Sequence, residues 1–186
     1  MQEPTRMSEA EVAIRLAERF LRMPGAGQVA KVAIDGAVIE MKGQNPFFDI
    51  ATFLSGNRWK LLTQKGTRAW HGVYSRDDQE IHISSTSGAA DVVLQLGNRR
   101  VVAECKGGPL IKKEGSPEYR ILKELLGQAL IWKEMPGDLL IVAVPDTPRF
   151  RKIACDWQQR PLVMKTGIQV ALVSLAGDVF GPNLLA

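Results

Sequence analysis

Residues 87–108, SGAADVVLQLGNRRVVAECKGG, decide the fold. Two apolar runs, Asp91 to Leu96 and Arg100 to Lys106, flank Gly97-Asn98-Arg99 and read as two strands joined by a tight turn. Side chains two apart on a strand share a face, so Glu104 and Lys106 point one way and Cys105 the other. With Gly97-Asn98 as a two-residue loop, Leu96 pairs with Arg99 and Asp91 stands opposite Glu104. With Asn98-Arg99 as the loop, Asp91 stands opposite Lys106. Both registers put Asp91, Glu104 and Lys106 on one face of one hairpin; a three-residue loop would break that parity. Directly opposed side chains have Cβ atoms about 4.5–5.5 Å apart. The other face carries Val92, Leu94, Leu96, Val101, Ala103 and Cys105, suited to a core.

Two carboxylates that close repel unless a cation sits between them. A hard divalent ion does this well, because Mg²⁺ takes oxygen ligands and keeps several waters and substrate phosphate oxygens. Lys106 adds a charge that can orient an attacking water or steady a pentavalent phosphorus. An acid–lysine pair on a strand is more often a structural salt bridge. Two features count against that assignment here. The surrounding residues are apolar enough for a central strand, where charges are rare and usually functional. Gly107-Gly108 follows at once and allows a backbone to approach closely.

Outward from this hairpin, Ser8 to Arg22 predicts a helix, with Ser8 as cap, Glu11 at the capping-box position and Val12, Leu16 and Phe20 at helical spacing. Pro24-Gly25 ends it. Val29 to Met41 predicts two short strands around Asp35-Gly36, and Phe47 to Leu54 with Trp59 to Thr63 a second hairpin across Ser55-Gly56-Asn57. Glu80 to Ser84 reads as a strand, Pro117 to Glu134 as a helix, Leu139 to Val144 as a buried strand, Pro148 to Gln159 as a helix and Gly167 to Leu175 as a last strand. From residue 80 onward this is the order of a mixed α/β sheet with helices packed on it.

The chain has 186 residues, 45% of them apolar and 24% charged, which suits one domain with a real core. The net charge of +4 permits nucleic-acid binding without requiring it. No apolar run approaches the roughly 18 residues of a membrane helix, and the polar start of the chain carries no secretory signal. Cys105 and Cys155 form neither a disulfide framework nor a zinc spacing, so a cytoplasmic, reducing location is expected. No GxSxG, Walker A or HExxH pattern occurs. Gly25-Ala26-Gly27-Gln28-Val29-Ala30 has the spacing of a dinucleotide fingerprint but follows a helix rather than a strand. His71 and His82 are isolated; His82, just before the hairpin, is close enough in sequence to touch a substrate there.

Asp91 followed by Glu104-Cys105-Lys106 resembles the PD-(D/E)xK superfamily of nucleases. Residues 8–144 can be laid on that family's order of helix, three strands, helix and strand. The resemblance implies a restriction-endonuclease-like mixed sheet flanked by helices in a single domain. Residues 1–27 would hold the first helix, 28–79 a β-rich insertion or arm and 80–186 the catalytic core. Gln128 and Trp132, four apart in the next helix, resemble the Gln-plus-aromatic motif of the exonuclease branch; plain core packing of Trp132 is the alternative. Ala90 stands where the family name has Pro. The implied activity is hydrolysis of phosphodiester bonds in nucleic acid, DNA favoured over RNA. Mg²⁺ or Mn²⁺ would be held by Asp91, Glu104 and the Cys105 carbonyl, with Glu11 or Glu18 of the first helix as a further acid. Lys106 and Gln128 complete the implied catalytic set. A non-cleaving, nucleic-acid-binding or subunit domain is the alternative. A homodimer, or work beside a helicase or methyltransferase, is compatible with such a domain. Lys112, Lys113, Arg120 and Lys123 are candidate phosphate contacts around the site, with Arg99 and Arg100 nearby in sequence; Arg149, Arg151 and Lys152 form a second basic group.

Overall fold

A computed structural model describes residues 4–34, 48–85, 90–111, 115, 117–132 and 136–181. In chain order these form β1 (Arg6–Met7), α1 (Glu9–Leu21), β2 (Ala26–Ala33), α2 (Ile50–Gly56), β3 (Lys60–Gln64), β4 (Gly72–Arg76), β5 (Gln79–Ser84), β6 (Val92–Leu96) and β7 (Arg99–Cys105). There follow β8 (Gly108–Pro109), α3 (Pro117–Ala129), β9 (Leu139–Pro145), α4 (Pro148–Gln158), α5 (Pro161–Thr166), β10 (Gln169–Val173) and β11 (Val179–Phe180).

Among the described residues, nine strands make one mixed sheet in the order β11-β10-β9-β7-β6-β2-β5-β4-β3. β7, β9 and β10 run parallel, and β6 and β11 are antiparallel to their neighbours. β2 is antiparallel to β6 and parallel to β5. β1 and β8 pair apart from it in a two-stranded ribbon. The expected α/β class, a mixed sheet flanked by helices, is what the chain forms.

Helices on both faces explain the composition of β9. All seven residues of LLIVAVP are buried, as for a parallel strand covered on both sides. Along β7 and β9, alternate residues enter two separate cores. Ala103, Cys105, Ile141 and Ala143 pack under α1 with Phe20, Leu16 and Val12. Val102, Leu140, Val142 and Val144 pack under α3 and α4 with Leu122, Leu125 and Phe150. α1 starts as its sequence requires: Ser8 Oγ accepts from the Glu11 N–H at 3.0 Å.

Several elements differ from expectation. Residues 28–34 do not belong to a peripheral arm, because β2 lies inside the sheet between β6 and β5. It is one strand beginning at Ala26; the expected turn at Asp35-Gly36 lies outside the described residues. The second hairpin is absent: residues 50–56 are helical. Asp49 decides this, taking the Thr52 N–H at 3.0 Å and the Thr52 hydroxyl at 2.7 Å, a cap that outweighs the apolar run. α3 stops at Ala129, five residues early, where Ile131 N–H bonds Gln128 C=O and Trp132 N–H bonds Ala129 C=O, the i→i−3 pattern of a tightened last turn. α5 was not expected, and β11 follows the strand expected to be last.

A candidate active site where the helical layer ends

β6 and β7 take the first of the two registers. Leu96 pairs with Arg99 and Val92 with Ala103 across Gly97-Asn98. Gly97 has φ +58° and Asn98 has no positive φ, the pattern of a II′ turn with glycine at its first central place. One residue before β6, Asp91 therefore faces Glu104. Its Oδ2 accepts the Cys105 N–H at 2.7 Å, which fixes the carboxylate across the end of the hairpin. Its carbonyl accepts the Ala33 N–H from β2 at 2.8 Å.

Lys106, just past β7, reaches the first helix. Its Nζ lies 2.9 Å from Glu9 Oε2. Glu9 is the first-helix acid at this site, and the sequence reading missed it. The corrections follow from what the expected acids bind instead. Glu11 is held by Arg15 at 2.8–3.0 Å. Glu18 accepts from Trp59 Nε1 at 2.6 Å and Arg76 Nη1 at 3.1 Å, about 13 Å farther along the helix axis. Two features pointed to Glu9. Ser8 as cap makes Glu9 the first helical residue, and Gly107 demands a close neighbour. A Cβ on Gly107 would lie 2.6 Å from Met7 O and 2.7 Å from Glu9 N.

Asp91 and Glu104 share the sheet face that α3 and α4 cover farther on. Burial pushes Asp91 up to about 6; the Cys105 N–H opposes this and the charge of Glu9 adds to it. Burial, then the charge of Asp91, pushes Glu104 up to about 8. Burial draws the Lys106 ammonium down, but the hydrogen bond and charge of Glu9, with Asp91 and Glu104 behind, leave it above the ordinary lysine range. Each acid is thereby held toward its protonated form, as expected of two carboxylates facing each other away from water.

A pH dependence follows. Both folded values exceed the ordinary 3.8 and 4.5, so the native pair keeps protons that the unfolded chain has lost. Stability is then full below about pH 4 and falls as pH rises to about 8. Glu104→Gln is expected to be more stable than the parent at pH 8.5, by on the order of 2 kcal/mol, and equal to it at pH 4. Urea melts at both pH values check this; equal midpoints at pH 8.5 would contradict it.

Among the described residues no group of three or more His, Cys, Asp or Glu is arranged to hold a metal ion. The donor set fits a Mg²⁺-type ion all the same, since such an ion binds through one or two carboxylates and completes its shell with waters and substrate oxygens. The Cys105 thiol is buried on the opposite face, and its carbonyl lies at this end of β7.

Among the described residues, no hydrogen bond or ion pair joins the other candidates to the acid pair. Gln128 is exposed on α3, whose inward stripe is Glu118, Leu122, Leu125 and Ala129. Trp132 packs against the α3/α4 core. Arg120 and Lys123 are exposed on α3, and Arg120 lies 3.7 Å from Glu124. Lys112 and Lys113 lie outside the described residues. Arg100 pairs with Asp138 at the turn end of β7, and Arg151 with Asp146. His82 binds Glu80 at 2.6 Å. No helix is long and apolar enough to cross a membrane among the described residues. Compared with family models, with curated proteins and with solved structures, the chain matches none.

Proposed function

We propose that this protein is a metal-dependent nuclease of the restriction-endonuclease-like kind, hydrolysing phosphodiester bonds in nucleic acid, with DNA favoured. One observation carries the reading: Asp91 and Glu104 stand opposite each other at the end of one hairpin, beside a lysine held by an acid from a different element. A purely structural salt bridge needs one acid for Lys106, and Glu9 already supplies it. The pair is then left over, and leaving two half-buried carboxylates together is costly unless a cation is expected.

Mg²⁺ or Mn²⁺ would be held by Asp91 and Glu104 with the Cys105 carbonyl, and would supply a water of lowered pKa and a positive charge for the departing oxygen. The chain's own groups do the positioning. The Cys105 N–H fixes one Asp91 oxygen and so sets the carboxylate at the end of the hairpin. Glu9 holds the Lys106 ammonium charged at the mouth of the pair, where it can orient a water or meet charge on a phosphoryl oxygen. No histidine is needed as base.

The pure protein, incubated with single-stranded, duplex and branched DNA and RNA, is expected to cut at least one DNA substrate with Mn²⁺ or Mg²⁺ and none in EDTA. Undiminished cutting in EDTA overturns the mechanism. Binding of nucleic acid without cutting under any metal supports the non-cleaving alternative instead.

A further inference from the structure

The two halves of the sheet are covered differently. On the face bearing Asp91 and Glu104, α3 and α4 cover β7, β9 and β10 and bury Val102, Val142, Val170 and Leu172. That core contains no residue of β2, β5, β4 or β3. The other face of these strands is in order: Ala30, Val32, Ile81 and Ile83 are buried under α1. Of their alternates Val73 on β4 is buried, and the others are less covered. Val29 is 37% exposed, Lys31 is exposed, and Glu80, His82 and Ser84 are half-buried.

The register places these open positions beside the candidate site. Lys31 pairs with Val93, two residues from Asp91 on β6, and on its other side with His82. His82 pairs with Val73 on β4; one row lower, Glu80 pairs with Ser75 and Ser75 with Lys60 on the edge strand. From β6 to β3 is four strand spacings, about 19 Å of floor. Among the described residues, Asp91 stands where the helical wall stops and this floor begins.

The geometry points to the open face of β2, β5, β4 and β3 as the track on which the nucleic-acid backbone lies as it enters the acid pair, with Lys31 as the phosphate contact nearest the reacting centre. This rests on the nuclease reading. Three observations favour a polyanion as the occupant. The floor is continuous with Asp91 through the Ala33–Asp91 hydrogen bond. Lys31 has no ion pair among the described residues, and Lys60 at the far rim has none either. The one acid on the track named here, Glu80, is engaged by His82. The exposed apolar side chains on these strands are Val29 and, confined to the edge strand β3, Leu61 and Leu62, with Lys31, Lys60 and Thr63 exposed among them.

The test compares Lys31→Glu with Lys165→Glu, the same charge change on exposed α5. Steady-state cleavage of a DNA substrate with Mn²⁺ reads KM and kcat; anisotropy of a labelled oligonucleotide in the non-cleaving Asp91→Ala background reads affinity against salt. Lys31→Glu is expected to raise KM at least about fivefold and leave kcat within about twofold. It should lower the slope of log affinity against log salt by roughly 0.9 on duplex or 0.7 on single strands. Lys165→Glu should change neither. Lys31→Gln should move both readouts the same way by less. Equal effects at Lys31 and Lys165 would show only a net-charge effect and overturn the assignment. So would a fall in kcat at constant KM, or sedimentation showing that Lys31→Glu splits a dimer, which would give the face to a second copy. A parent protein that cuts while Lys31→Glu is indistinguishable from it sinks this track alone. A parent that neither binds nor cuts sinks the nuclease reading and the track together.

Discussion

Asp91→Ala is expected to cut DNA at least about a thousandfold more slowly than the parent, with the fold intact, because several kcal/mol of transition-state stabilisation depend on the group it removes. Lys106→Ala should lose a comparable factor. The two should part on metal binding. Asp91→Ala removes a ligand, and Mn²⁺ affinity should fall roughly tenfold or more, about 1.4 kcal/mol. Lys106→Ala removes a cation from beside the acid pair and leaves the Glu9 carboxylate without its partner, so the local field becomes more negative. Mn²⁺ should then bind as well as to the parent or somewhat better. Titration calorimetry on both variants distinguishes the roles, and equal loss of affinity in the two would contradict the assignment of Lys106 as a positioning charge.

Gly107→Ala is expected to damage both fold and site, through a contact that involves no catalytic atom. The added Cβ would lie 2.6 Å from Met7 O, 2.7 Å from Glu9 N and 2.8 Å from Ser8 C, all backbone. No side chain can swing aside, so β1 and the first turn of α1 must move off the loop after Lys106. Overpacking of this kind costs about 1–3 kcal/mol. The displaced turn carries Glu9, so Lys106 loses its anchor. Chemical melts should show the loss of stability, and cleavage should fall by on the order of a hundredfold, consistent with the sensitivity of such geometry to shifts near 1 Å. Glu9→Gln separates the two effects: it should keep the stability of the parent closely and lose part of the activity. A Gly107→Ala protein with parental melting and cutting would show that the first helix is not wedged against this loop.

The legible and illegible parts of this molecule divide by the range of the forces that set them. That Asp91, Glu104 and Lys106 share one face was readable because a two-residue turn fixes parity over fourteen residues; which of the two stands opposite Asp91 depended on where the turn sits. The buried strand β9 was readable because every residue in it is apolar. The helix at residues 50–56 was misread because its apolar run looked like a strand, while the deciding interaction was one aspartate capping Thr52. The position of β2 in the middle of the sheet was illegible because nothing local states which neighbour a strand will choose. Glu9 was missed for a related reason, since its partner is 97 residues away. Yet Gly107-Gly108 had announced that some backbone approaches the lysine; what could not be read was which one.

That 97-residue separation also orders events in time. The bond between Asp91 and Cys105 spans fourteen residues of a hairpin, a structure that forms in microseconds. Joining Lys106 to Glu9 closes a loop about seven times longer, at about 1.7 kcal/mol more in chain entropy, and waits on α1 docking. The newly folding chain therefore presents a pair of acids before it presents an oriented lysine. If the acids bind a divalent ion as proposed, a cation captured at that stage would staple the hairpin early and speed its folding, while the lysine clicks into place at the end.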